Sequence, residues 1–143
     1  VSNKLGGALC ATLAAVLSAT AVVTFTTGGS IMPGATDDGG VGLFGNPLTA
    51  TIHLAFAVLA LAGLLRRGLR RLLAQLGSLA FLGLTAFDVV ALLSPVGEDE
   101  PLGVRWPLLV VDLVALALWL ATVRSSRPAT PASSTQRRGQ SEA

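Results

Sequence analysis

Four stretches of this chain carry almost no charge, and each is about as long as a membrane is thick. Leu5–Phe25, Leu48–Leu65, Leu72–Leu93 and Pro107–Val123 run for 21, 18, 22 and 17 residues. A helix needs roughly 17–25 predominantly apolar residues to cross a hydrocarbon layer of ~30 Å. Only 13% of the residues are charged, 52% are hydrophobic and the mean hydropathy is +0.70. A water-soluble domain carries about 25% charged residues. Most of this surface must therefore face something other than water. The expectation is an all-α integral membrane protein, an up-down-up-down four-helix bundle in one domain of residues 1–123.

The second run has the best-defined ends. Asn46 is a predicted N-cap and Pro47 a predicted first helical residue, where a missing N–H costs nothing. Arg66, Arg67, Arg70 and Arg71 close it with four positive charges. The segment 66–71 is short, so the second and third crossings are predicted to be antiparallel neighbours, with Gly68 easing the reversal. Ser94-Pro95 stops the third run, and Trp106-Pro107 opens the fourth, with Trp106 as an interfacial anchor. In the first run Ala8, Ala11, Thr12, Ala15, Ser18 and Ala19 recur at helical spacing, a pattern that lets helix backbones approach closely in lipid. Gly77, Ala80 and Gly83 offer the same in the third. Ala19-Thr20-Ala21 also resembles a signal-peptide cleavage site, but the single Lys4 makes a poor positive leader.

The charges sort by side. Lys4, the four arginines at 66–71, Arg124, Arg127, Arg137 and Arg138 fall at one set of helix ends. Asp37, Asp38, Glu98, Asp99 and Glu100 fall at the other, with Arg105 alone among the cations. The bias of Lys and Arg toward the cytoplasmic side predicts that both termini are cytoplasmic, in a bacterial inner membrane. The excess of Ala, Leu, Gly, Val and Arg matches a GC-rich bacterial genome. Arg66, Arg67, Arg70, Arg71, Arg124 and Arg127 are the candidate topology and lipid-headgroup residues. Residues 124–143 are rich in Ser, Thr, Pro, Gln and Arg and read as a disordered cytoplasmic tail. The Gly- and Pro-rich segment 28–45 and the acidic segment 96–105 read as loops.

Three ionisable residues lie inside predicted crossings: His53, Asp88 and Asp112. Each sits about five residues from the end of its run, roughly 8 Å deep at 1.5 Å per residue. That depth is the same for all three and belongs to the acidic side. Ionisable groups within a membrane are costly and face the bundle interior or a wet cavity. Thr49 shares a face with His53, and Ser78 and Thr85 share one with Asp88; Asn46 stands at the entry to the same layer. The predicted cluster is a polar site that pairs His53 with one or both carboxylates. It would relay protons, bind a cation or hold a polar headgroup, or else only join the helices.

Several functions are disfavoured. The net charge of +2 and the absence of basic residues interleaved with aromatics give no sign of nucleic-acid binding. Cys10 is the single cysteine, so no intrachain disulfide or CxxC redox pair exists. One histidine cannot supply both axial ligands of a bis-His haem. No HExxH signature or phosphate loop is present, no spacing motif supports a metal, and no cofactor is expected. The partners expected are the lipid bilayer and a second membrane protein or a second copy of the chain. The leading expectation is a non-enzymatic structural or partner-binding protein; the alternative is a proton, cation or small-solute transport component.

Residues 26–120 resemble a family of small bacterial, largely actinobacterial, four-helix membrane proteins of undefined function. The resemblance is carried by Pro33-Gly34 and Asp37, by Leu43-Phe44-Gly45 before the second helix, and by Asn46 followed by His53. The third helix, the acidic loop and Asp112 also fit. It implies a four-helix fold and no activity. Such proteins tend to carry a second histidine about four residues past the aspartate. Here Leu116 stands near that position, so a two-histidine site is not implied.

Overall fold

The computed structural model describes residues 2–27, 47–93 and 106–126. They form α1 (Ser2–Thr27), α2 (Pro47–Leu65), α3 (Arg67–Leu93) and α4 (Trp106–Ser125). No strand occurs among the described residues. Every helix is long and apolar enough to cross a membrane, as a multi-pass protein requires. The segments 28–46 and 94–105 and the tail from residue 127 lie outside the described residues, and with them Asn46, Arg105 and Arg127.

The helices stand at the corners of a square. α1 packs on α2 and α4, and α3 packs on α4 and α2, whereas the backbones of the diagonal pairs, α1 with α3 and α2 with α4, do not pack. The closest pairs are α1 with α2 and α3 with α4. The fold is thus two tight helical hairpins laid side by side. Gly6 near the start of α1, Gly63 near the end of α2, Arg70 near the start of α3 and Ser125 at the end of α4 gather at one end. Neighbouring helices are therefore antiparallel. Every Lys and Arg among the described residues (Lys4, Arg66, Arg67, Arg70, Arg71 and Arg124) belongs to this arginine end.

Lipid chains are as apolar as leucine, so packing and interhelical hydrogen bonds rather than water-driven burial hold such a bundle. The inner faces show how. α2 turns Ala50, His53, Ala57, Ala60 and Gly63 inward, a row of small residues broken only by the histidine. Larger side chains fill the space they leave: Leu13 and Leu17 of α1, Phe81 of α3 and Trp119 of α4. Trp119 lies flat against Gly77. A Cβ placed on Gly77 would come within 2.4 Å of the indole ring.

Three local expectations are corrected. The small residues Ala8, Ala11, Thr12, Ala15 and Ala19 of α1 face outward, and the inward row is Gly6, Cys10, Leu13, Leu17, Thr20 and Thr24. Both rows have helical spacing, and the larger side chains win the interior because α2 supplies the small face. In α3, Gly77 is a close-packing point but Gly83 is not: nothing lies within 4 Å of a Cβ placed there. Finally, the reversal between α2 and α3 is carried by Arg66 alone. Its N–H continues α2 by donating to the Ala62 carbonyl at 2.8 Å, and its own carbonyl accepts from Leu69 N–H at 3.0 Å to start α3. Helix α3 thus begins at Arg67, five residues before the apolar run, and Gly68 is inside it.

Candidate functional site

His53 sits one and a half turns into α2, pointing at the bundle axis, and is 0% exposed. Its Nε2 donates to Asp112 Oδ1 at 2.9 Å. Asp112 lies on α4, the helix diagonal to α2, and is 1% exposed. The pair therefore spans the one direction in which the α2 and α4 backbones do not pack. On the other side of the ring, Nδ1 lies 3.4 Å from Thr20 Oγ1 of α1. The imidazole plane is stacked on Phe81 of α3, with ring centroids 6.0 Å apart and planes 17° apart. Phe56 meets the same Phe81 edge-on at 5.1 Å. One side chain thus touches all three other helices.

The threonine is held before the histidine reaches it. Thr20 Oγ1 lies 3.1 Å from the Val16 carbonyl and 3.0 Å from the Leu17 carbonyl, so its hydroxyl is already bonded within its own helix. Helical threonines in an apolar medium commonly do this, and Thr24, Thr51 and Thr122 follow the same pattern here. With Nε2–H given to the carboxylate, Nδ1 is left to face a hydroxyl that can accept or donate. Nδ1 thus competes with the Val16 and Leu17 carbonyls for the single hydroxyl proton of Thr20, while the carboxylate is fixed by the ring it receives from.

Asp88 is 1% exposed and lies on the same inward stripe of α3 as Phe81 and Thr85. It is seven residues, about 10 Å along the axis, beyond Phe81 toward the end away from the arginines. The bonds that join His53 to Asp112 and to Thr20 do not include it. The expected three-residue layer therefore resolves into a bonded pair, with the third carboxylate buried farther along. Thr85, between Phe81 and Asp88, differs from the other buried threonines: its hydroxyl has no hydrogen-bond partner. Thr49 is buried one turn before His53. Ser78 is half-buried, and its hydroxyl donates to the Ala74 carbonyl at 2.8 Å. Among the described residues, no three metal-ligating side chains come together.

A second polar centre lies at the arginine end. Arg66, Arg67, Arg71 and Arg124 are exposed, whereas Arg70 is only 4% exposed. Arg70 folds back so that Nε donates to the Gly63 carbonyl at 3.0 Å and one terminal nitrogen approaches the Leu64 carbonyl at 3.5 Å. The last carbonyls of a helix have no partner within it and carry its negative dipole end. A guanidinium supplies both charge and donors there. The glycine at position 6 makes room for it. A Cβ there would lie 3.1 Å from the Arg70 guanidinium and 3.1 Å from Ser125 Oγ.

Sequence reasoning places His53 and Asp112 together but misses Thr20 and Phe81. Thr20 is one of several threonines in α1, and Phe81 lies deeper in α3 than the polar layer from which a partner would be sought. Reading Arg70 as one of a row of equivalent arginines likewise hides its role. The available signal is its spacing, four residues before Ala74 and seven before Gly77, the small residues of the inward stripe. Comparisons with protein-family models, with curated proteins and with solved structures find no match to this chain.

Proposed function

We propose that the chain is a small multi-pass integral membrane protein without catalytic activity of its own, serving as a structural or partner-binding element. The observation that supports this is how His53 and Asp112 are used. Both are enclosed, and their hydrogen bonds go to each other and to Thr20. A pair committed in this way joins helices; a substrate would have to break it to bind. The arginine end, on the positive-inside rule, faces the cytoplasm and carries both termini. A bacterial inner membrane is the setting that the composition favours. The resemblance to small actinobacterial four-helix membrane proteins agrees with this placement and supplies no activity.

A second reading has one observation in its favour. The buried Thr85 hydroxyl, without a protein partner, stands between the level of the His53–Asp112 pair and Asp88. A polar row leading outward from an ionisable pair is what a proton- or cation-conducting component needs. The two readings part in one experiment, with the purified chain in proteoliposomes and its abundance measured in the membrane. On the structural reading, His53→Ala lowers abundance and no pH-driven ion flux is seen with the parent chain. If His53→Ala and Asp88→Asn instead leave abundance unchanged and abolish a flux that the parent shows, the structural reading is overturned.

A further inference from the structure

Between α3 and α4, on the face turned away from the bundle axis, runs a groove of about 330 Å³. Gln75, Ser78 and Leu82 line one side of it, and Leu116 and Leu120 the other. That volume is at the low end for a ligand site, and its walls are almost wholly apolar. Its chemistry changes along its length. Arg71 lies four residues before Gln75, on the same side of α3, and Arg124 lies four residues after Leu120 on α4. Both arginines are exposed.

The close approach of Gly77 to Trp119 fixes the register of the two helices. Arg71 is six residues from Gly77 and Arg124 is five residues from Trp119. At 1.5 Å per residue these are about 9 and 7.5 Å, so the two arginines stand at nearly one depth, one on each helix at the same end of the groove. One turn deeper stands the exposed Gln75 amide. Deeper still come Ser78, whose hydroxyl is spent on the Ala74 carbonyl, and then leucine.

We propose that this groove is a binding site for an anionic glycerophospholipid of the leaflet on the arginine side. Arg71 and Arg124 hold its phosphate, Gln75 meets the glycerol-ester region, and one acyl chain lies between Leu82, Leu116 and Leu120. The order of groups along the groove matches the order along the lipid: charge, then a polar amide, then hydrocarbon. Guanidinium groups bind phosphate oxygens in a bidentate fashion, and basic residues near a membrane surface attract anionic lipids. The proposal depends on membrane residence and is independent of whether the chain conducts ions.

Trp119, buried against Gly77, adjoins the groove-lining Leu120 in sequence and lies three residues from Leu116, so it reports on the site. The full chain carrying Trp106→Phe, so that Trp119 is its only indole, is reconstituted in phosphatidylcholine vesicles. Quenching is measured with guest phosphatidylglycerol brominated in its acyl chains and, separately, with phosphatidylcholine brominated in the same way. The expected result is a preference for phosphatidylglycerol of roughly fivefold or more at Trp119. Arg71→Gln/Arg124→Gln abolishes that preference, while Lys4→Gln/Arg66→Gln, which removes two exposed cations from the α1–α2 hairpin's side of the same end, keeps most of it. Equal quenching by the two lipids in the parent overturns the proposal. So does an equal loss in both double variants, which reduces the effect to general charge attraction. Self-association that shields Trp119 from both lipids also overturns it, by giving the groove to a second copy of the chain.

Discussion

At the scale of single residues, the interior is set by a few positions where size rather than polarity decides. Gly77 is one. Any side chain there meets the face of a buried indole, a rigid neighbour with no flexible end to swing away. Gly77→Ala should therefore cost about 1–3 kcal/mol, the usual penalty of overpacking. Gly83, six residues on in the same helix, has open space where its Cβ would be. Gly83→Ala should be neutral or stabilising by up to about 1 kcal/mol, because alanine suits a helix interior better than glycine. Reversible unfolding in mixed micelles measures both, and equal effects would show that α3 and α4 do not meet at Gly77. Thr20→Val tests the weaker contact to the histidine. At 3.4 Å from Nδ1, with its hydroxyl also serving its own backbone, Thr20 should contribute under about 1 kcal/mol.

At the scale of helices, the ends and the faces were not equally legible in the sequence. Pro47 opens α2 and Trp106 opens α4, as the X-Pro signals predict, because proline fixes its own backbone angle whatever surrounds it. Which face turns inward was not legible. In water the outward face of a helix must be polar, and the pattern gives it away. In lipid both faces are apolar, so the Ala8–Ala19 row and the Cys10–Thr24 row of α1 look equally suited to the interior. Only shape matching with α2 separates them. The start of α3 was hidden for a related reason. Arginines mark a membrane boundary, but they are also good helix formers and do not end a helix. Arg70 follows from this: being helical, it is aimed back at the end of α2, where it caps the open carbonyls at Gly63 and Leu64. Arg70→Gln should destabilise the chain by about 1.5–3 kcal/mol, the worth of hydrogen bonds from a charged donor. Arg71→Gln, at an exposed position one residue on, should change stability by less than about 0.5 kcal/mol. Parallel denaturation of the two variants checks this, and equal losses would mean that Arg70 acts only as one more surface charge.

At the scale of the whole molecule, two hairpins are joined by the packing of α1 on α4 and of α2 on α3, and the link at the centre is a side-chain one. His53 and Asp112 reach across the diagonal, so the pair connects the α1–α2 hairpin to the α3–α4 hairpin through α2 and α4, two helices whose backbones do not pack. The sequence placed the two residues at one depth, which is why their meeting could be anticipated; depth alone also placed Asp88 there, and the structure puts it elsewhere on the stripe. The orientation has its own check. A cysteine introduced at Gly68 should react only with reagents on the cytoplasmic side, and labelling from outside alone would reverse the placement of the arginine end. The central claim is the diagonal link, and a double-mutant cycle on unfolding tests it most directly. Asp112→Leu strands a buried imidazole and should cost about 3 kcal/mol or more, as should His53→Phe, which strands the carboxylate. The double variant, with an apolar pair in the same space, should cost about 1 kcal/mol or less, so that the coupling is several times larger than the spread of independent sites. Two single losses that simply add, within about 0.5 kcal/mol, would show that His53 and Asp112 do not hold the hairpins together.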